Sequence, residues 1–267
     1  MDQYLIAVIV GIVEGLTEFL PVSSTGHMII VGHVLGFEGD LADLFDVFVQ
    51  LGAILSVIFI YKERFVRFFT KEGWQADKGL SVWHIAVGIV PVMAVAFFLY
   101  KYIKMYLFSP LTVAVGLILG GFLFLYAEHK VQGKQHLLIN DVDQISLKQA
   151  TWVGIYQFLS LWPGFSRSGS TIAGGLLVGL SRECSAAYTF LIAVPLMFVA
   201  CLYDLYKHID LLSADDIIVL AIGFVVSFIV AYWSVLWFLK FLKKYNLRAF
   251  AFYRFFVGLI TLWYFYM

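Results

Sequence analysis

Glu14 and Glu18 stand four residues apart inside the apolar run from Tyr4 to Leu20. At helical spacing they share one face. A charge at the centre of a bilayer costs about 3 kcal/mol or more on insertion scales, so two on one face call for a compensating cation or a shared proton. A divalent metal bridging them to a phosphate would serve, and so would general acid–base work. A hydrogen bond to a neighbouring helix is the structural alternative. A few residues on, Ser23, Ser24 and Thr25 put hydroxyls where an apolar segment restarts after Pro21. The start of a helix offers free N–H groups and a positive dipole end, a natural seat for phosphate, and plain N-capping is compatible with that use. His27 follows Ser24 by three residues and is placed to take a proton from it or from water, or to protonate a leaving group.

Arg167 is the second anomaly. It sits among Ser166, Ser168, Gly169 and Ser170 in another apolar stretch. A guanidinium there suits a bidentate anion, phosphate above all. A salt bridge to Glu14 or Glu18 is the competing use, and the two are compatible if substrate opens the bridge. Arg182 and Arg254 lie near segment ends and read as snorkelling side chains. His33, His84, His129, His136 and His208 lack comparable company and read as interfacial or loop residues. Cys184 and Cys201 match no metal spacing and no disulfide framework, and read as small core residues.

The elements that must position these groups are membrane helices. Of 267 residues, 62% are hydrophobic and 13% charged, about half the charge of a soluble domain; the mean hydropathy is +0.90. The formal net charge is zero, so nothing points to a nucleic-acid partner. No Lys or Arg precedes the first apolar run, which argues against a cleaved signal peptide. Six segments are long and apolar enough to span: Leu44 to Tyr61, Val82 to Tyr100, Leu111 to Tyr126, Ala187 to Tyr206, Ile217 to Leu239 and Ala249 to Met267. Tyr and Trp crowd many of their ends, as an interfacial belt does.

Two further apolar regions are broken. Tyr4 to Phe37 is interrupted by Pro21-Val22-Ser23-Ser24-Thr25-Gly26, and Thr151 to Leu180 by Pro163-Gly164-Phe165-Ser166-Arg167-Ser168-Gly169. Each half is too short to span. Lipid cannot satisfy the backbone freed at a break, so each break must be buried in protein or line a cavity. Both regions read as re-entrant helical hairpins.

Loop charge sets an orientation. Lys62, Arg64, Arg67, Lys71 and Lys78 follow the first span, Lys130, Lys134 and Lys148 the third, and Lys240, Lys243, Lys244 and Arg248 the fifth. The opposite loops hold only Lys101, Lys104 and Lys207, beside Glu38, Asp40, Asp43, Asp210, Asp215 and Asp216. The basic side is expected to be cytoplasmic.

The chain also reads as two related halves, 1–127 and 150–267, within one membrane domain. Gly11-Ile12-Val13-Glu14 matches Gly154-Ile155-Tyr156-Gln157, Phe19-Leu20-Pro21 matches Leu161-Trp162-Pro163, and Ala86-Val87-Gly88 matches Ala221-Ile222-Gly223. Each half holds one hairpin and three spans, an odd number, so the second half is inverted. The expected fold is therefore an all-α integral membrane protein. It has about six transmembrane helices and two re-entrant hairpins in an inverted-topology repeat. The hairpins enter from opposite sides and meet at their tips, bringing Ser24 near Arg167.

The run Glu14-Gly15-Leu16-Thr17-Glu18-Phe19-Leu20-Pro21-Val22-Ser23-Ser24-Thr25-Gly26-His27 resembles the first signature of the undecaprenyl-diphosphate phosphatases, the bacitracin-resistance family. Pro163-Gly164-Phe165-Ser166-Arg167-Ser168-Gly169 resembles the second, and length and span pattern agree over essentially the whole chain. The resemblance implies a multi-pass protein of the bacterial inner membrane, reachable from the periplasm. It would convert undecaprenyl diphosphate to undecaprenyl phosphate and inorganic phosphate, recycle the carrier lipid for peptidoglycan and confer tolerance to bacitracin. By match to the motifs, Glu18, His27 and Arg167 are the core catalytic positions, supported by Glu14, Ser24 and Thr25. Ser23, Thr25, Gly26, Ser166, Ser168 and Gly169 are expected to bind substrate, and Glu14 and Glu18 a divalent cation, Mg or Ca. The expected mechanism has Ser24 or a water attack the terminal phosphorus with His27 as proton acceptor. A homodimer is compatible with this reading. The rival readings are a transporter of an anionic lipid, which has less use for Glu14, Glu18, Ser24 and His27 together, and a non-catalytic lipid-binding protein.

Overall fold

The computed structural model describes residues 2–37, 39–107, 109–208 and 216–266. Glu38, Asp210, Asp215 and Met267 lie outside the described residues, as do the side chains of Asp40, Asp43, Tyr100, Lys104, Lys207 and His208. Eleven α-helices run through the described residues: α1 (Gln3–Thr17), α2 (Ser24–Leu35), α3 (Asp40–Ile60), α4 (Lys62–Phe68), α5 (Val82–Leu107), α6 (Pro110–Val131), α7 (Leu147–Gln157), α8 (Arg167–Leu177), α9 (Arg182–His208), α10 (Asp216–Leu242) and α11 (Arg248–Tyr266).

Helices α5, α6, α9, α10 and α11 contain stretches long and apolar enough to cross a membrane. The pair α3 and α4, bent by 86° at their junction, passes the same test together and makes a sixth if counted as one span. The four helices of the hairpins are shorter. At 1.5 Å per residue, the 15 residues of α1 extend about 22 Å. The 11 residues of α8 extend about 16 Å. Neither crosses a hydrocarbon core of about 30 Å.

Both breaks fall earlier than the Ser/Gly runs suggest. The first occupies residues 18–23, so Ser24, Thr25 and Gly26 are the first turn of α2. The second begins with a 3₁₀ turn at Phe158–Leu161 and ends at Ser166, so Arg167, Ser168 and Gly169 open α8. The reason is local: small polar residues serve a helix start as well as they serve a loop. Ser23 and Ser166 precede the two helices with φ of 73° and 72°, a left-handed conformation costly for any residue but Gly.

The hairpins enter from opposite ends. Residues of hairpin α1–α2 pack with Leu44 and Phe45 at the start of α3 and Val219 and Leu220 at the start of α10. The α7–α8 hairpin is tied to the other end, where Ile139 N–H donates to Gly179 O and Ser181 N–H to Ile139 O, 2.9 and 2.8 Å. The tips meet: Ser168 Oγ donates to Leu20 O at 2.9 Å.

Helix pairing follows an exchange between the halves. Helix α1 packs on α10, and α7 packs on α5. A Cβ on Gly11 would lie 2.9 Å from Gly223 O, and one on Gly154 would lie 2.8 Å from Gly88 O. Gly11 with Gly154, and Gly88 with Gly223, are the glycines aligned between the two sequence halves. Small residues let helix backbones approach closely in lipid.

Arg254 overturns the snorkelling expectation. It lies on α11 with 0% exposure. Its Nε donates to Leu117 O at 3.1 Å and its Nη1 to Pro21 O at 3.3 Å. Its Nη2 serves Gly116 O, Gly164 O and Phe165 O at 3.2, 2.9 and 2.7 Å. Three of the five carbonyls belong to the two breaks. A Cβ at Gly120 would collide with the guanidinium, and one at Gly169 would lie 2.9 Å from Nη1; both glycines make its room. Arg182 does not snorkel either: Nε and Nη2 grip Glu128 at 2.8 and 2.5 Å. Glu128 also accepts from Leu247 N–H at 2.8 Å. His84 is buried rather than lying in a loop, with Nδ1 2.9 Å from Ser81 Oγ.

The three basic loops gather at one end of the bundle. Arg64 and Arg67 reach Asp143 at 2.5 and 3.3 Å, and Arg248 Nη2 donates to Gln132 Oε1 at 3.2 Å. Partial burial opposes ionisation of Asp143, but the Arg64 hydrogen bond, the Leu80 N–H and the two guanidinium charges outweigh it and hold its carboxyl below the usual carboxylate range.

Two outcomes are expected. Arg254→Met leaves the freed carbonyls unanswered and should destabilise the fold by about 3 kcal/mol or more, with Arg254→Lys intermediate; thermal unfolding in detergent measures both. A depressed carboxyl contributes stability above the unfolded pKa and loses it as pH falls through the folded one. Asp143→Asn should therefore be less stable than wild type near pH 7, the gap closing below about pH 4 in unfolding curves taken against pH.

Candidate active site

Glu18 and Arg167 are 149 positions apart in sequence and in direct contact: Arg167 Nη2 donates to Glu18 Oε1 at 2.7 Å. Glu18 stands where α1 ends, and Arg167 is the first residue of α8. The ion pair thus joins the two hairpin tips. Arg167 also donates to Met197 Sδ at 3.2 Å, and its guanidinium lies 5.8 Å from the Phe19 ring centroid. On the other carboxylate oxygen, Glu18 Oε2 accepts from Ser24 Oγ at 2.5 Å. One carboxylate therefore links a hydroxyl at the start of α2 to a guanidinium at the start of α8.

These groups face a polar cavity of about 240 Å³. Its wall includes Glu18, Ser23, Ser24, Thr25, Ser166 and Arg167, together with Gln50 of α3, Ser160 and Trp162 of the second break, and Met197 and Ala200 of α9. The first turns of α2 and α8 both reach it, so two positive helix ends converge on one space. Thr25 and Ala200 are exposed and mark its mouth. Ala200 lies beyond the midpoint of α9, away from Arg182 and the basic loops.

Not every expected residue lines the cavity. Glu14 lies a turn behind Glu18, fully buried, and neither carboxylate oxygen has a hydrogen-bond partner. Glu18, Asp46 and Arg167 act on it electrostatically. His27 is not turned to Ser24. Its Nδ1 is 2.8 Å from Ser23 O and its Nε2 2.7 Å from Tyr253 Oη, with the two rings stacked at 5.7 Å. A carbonyl can only accept, so Nδ1 carries the proton and Nε2 takes the tyrosine O–H in the neutral ring. Helical spacing put His27 near Ser24, but rotation about the α2 axis aims the ring at α11. Gly26, Ser168 and Gly169 are also absent from the cavity wall. Gly26 packs on Val113, Ser168 is committed to Leu20 O and Ser166 Oγ, and Gly169 makes room for Arg254.

Gln50, Ser160, Trp162 and Met197 were missed in the sequence. None is a charge in lipid, so each reads as ordinary until the fold carries it to the cavity. For a divalent cation the donors are hard oxygens: Glu14 with two orphaned buried oxygens, and Glu18 one turn on. Among the described residues no three His, Cys, Asp or Glu side chains surround a common point. Mg²⁺ is commonly held by one or two carboxylates with the remaining positions taken by water and substrate phosphate, and the donor set fits that mode.

Residues 7–260 match the family model described as bacitracin resistance protein BacA. The chain is 44% identical over 261 residues to undecaprenyl-diphosphatase 1 of Bacillus thuringiensis strain Al Hakam, 97% of each chain. It is 47% identical over 256 residues to undecaprenyl-diphosphatase of Solidesulfovibrio magneticus, 95% of each. It is 46% identical over 260 residues to that of Wolinella succinogenes, 97% of this chain and 96% of the relative.

The two left-handed serines differ in one respect. Ser166 Oγ accepts from Gly169 N–H at 3.1 Å, whereas Ser23 makes no side-chain cap. Ser166→Ala should therefore cost about 1 kcal/mol more than Ser23→Ala, read from the thermal unfolding of the two variants.

Proposed function

The chain belongs to the bacitracin resistance protein BacA family, and from that premise we infer that it hydrolyses undecaprenyl diphosphate to undecaprenyl phosphate and inorganic phosphate. It is a multi-pass membrane phosphatase, and its product is the carrier lipid that peptidoglycan synthesis reuses. The observation that carries the assignment of the site is the Arg167–Glu18–Ser24 chain, which joins two re-entrant tips in one polar cavity.

Each part has a task. Arg167 and the N–H groups opening α2 and α8 grip the diphosphate, and the incoming phosphate displaces Glu18 from the guanidinium. Bidentate arginine contact and helix N-termini are the ordinary means of holding such an anion. The nucleophile is Ser24 or a water in its place. The hydrogen bond in place makes Glu18, rather than His27, the acceptor of the Ser24 proton. His27 serves once its Nε2 leaves Tyr253: the free Nε2 of the neutral ring takes a proton from the attacking water, and the carrier-lipid phosphate departs as an anion. Stabilising the phosphoryl charge as it develops is the largest contribution. A divalent cation held by Glu14 and Glu18 would neutralise diphosphate oxygens when bound.

The cavity mouth lies toward the end opposite the basic loops. With the basic end cytoplasmic, this supports a site open to the periplasm in a bacterial inner membrane.

Purified protein should release phosphate from undecaprenyl diphosphate. Glu18→Gln and Arg167→Ala should each lower kcat/KM by at least 100-fold while remaining folded, and EDTA should abolish release until Mg²⁺ or Ca²⁺ is restored. A serine nucleophile predicts a trapped phosphoserine at Ser24 and an inactive Ser24→Ala; a water nucleophile predicts neither. No release from well-folded wild type across several metals would sink the phosphatase reading and favour transport.

A further inference from the structure

A second, larger cavity of about 780 Å³ lies between α1, α10 and α11. Its lining is almost wholly apolar, with Leu16, Leu20, Trp233, Trp237, Phe250 and Tyr253 among its walls. We propose that this groove receives the isoprenoid tail of the substrate, an inference that rests on the phosphatase reading above.

Continuity with the polar cavity is the first argument. The tip of the first hairpin separates the two spaces: Glu18, Ser23 and Ser24 face the polar cavity, while Thr17, Leu20 and Val22 face the groove. Tyr253 lines the groove and holds His27 through its hydroxyl. A lipid whose diphosphate sits beside Arg167 can thus pass its tail over Leu20 and Val22 into the groove.

Direction and length are the second. Along α10 the groove runs from Ile229 to Phe241, about 18 Å at the helical rise. Phe241, Ala249 and Phe250 lie at the end carrying the basic loops, away from Thr25 and Ala200 at the polar mouth. A headgroup entering from the mouth would therefore leave its tail pointing toward the far leaflet, as an anchored lipid must. The third argument is Trp233. It is 66% exposed, yet it sits seven residues inside Lys240, about 10 Å deeper than the belt where indoles usually anchor membrane proteins. A groove that stacks a chain of methyl-branched double bonds accounts for an exposed indole at that depth.

A polyprenyl diphosphate bearing a photoreactive group on its tail tests this in nanodiscs. The expected result is hydrolysis of the probe and adducts on peptides containing Trp233, Trp237 or Phe250. Excess undecaprenyl phosphate should remove those adducts, and excess phosphatidylglycerol should not. Hydrolysis with adducts elsewhere, or adducts lost equally to phospholipid, overturns the groove while leaving the phosphatase intact. A folded protein that hydrolyses neither probe nor natural lipid fails the phosphatase reading, and the groove falls with it. Ala249→Trp, filling the far end, should raise KM for undecaprenyl diphosphate about tenfold with kcat within twofold. The control Leu259→Trp, on α11 outside the groove, should change neither; equal effects of the two substitutions also count against the proposal.

Discussion

A helix interrupted in the middle of a membrane leaves carbonyls with nothing to accept from, and this fold interrupts two. Arg254 meets that demand from a third helix, donating to Pro21 of one break and to Gly164 and Phe165 of the other. The cost of burying a guanidinium is offset because each of its three nitrogens donates to at least one carbonyl oxygen. Its remaining bonds, to Gly116 and Leu117, fix both tips on α6. The placement of Glu18, Ser24 and Arg167 depends on this contact, since the tips carry all three.

With the tips fixed, the electrostatics of the cavity follow. Each hairpin alone would bury an uncompensated charge: two carboxylates in the first, a guanidinium in the second. Brought together, Glu18 and Arg167 compensate each other, while Glu14 keeps two orphaned oxygens. The ion pair is thus matched within itself, and Glu14 is the carboxyl left without a hydrogen-bond partner. The strained serines at both helix starts belong to the same economy: a left-handed residue turns the chain sharply enough to aim a helix end into the cavity.

Much of this was legible in the sequence, because a charge in an apolar run has few innocent explanations. Glu14, Glu18 and Arg167 announce themselves that way, and the Pro and Ser/Gly runs announce the breaks. The spans were legible from length and hydropathy, and the convergence of the tips from the inverted order of the halves. What escaped were facts of rotation and depth. His27 has the right spacing from Ser24, yet a ring on a helix faces one direction, and the packing of α11 chose Tyr253 for it. Arg254 looks like a snorkelling residue because it stands near a span's start; only the tertiary fold shows carbonyls waiting beneath it. Ser168 and Gly169 sit in the motif and serve the scaffold, which pattern alone cannot tell from substrate binding.

The matched halves carry a further consequence. Ser24 and Arg167 each follow a left-handed serine, and Glu14 stands where the other half has Gln157. Two identical hairpins facing one another would present the same group from both sides, two hydroxyls or two guanidiniums around one phosphate. Joined in a single polypeptide, the hairpins are free to diverge, and here one brings a hydroxyl and the other a guanidinium. A covalent link between the hairpins is what permits a handed site between two tips of similar build. A phosphate taken into the cavity would meet a hydroxyl on one side and a guanidinium on the other, which would leave the lipid one productive way to lie.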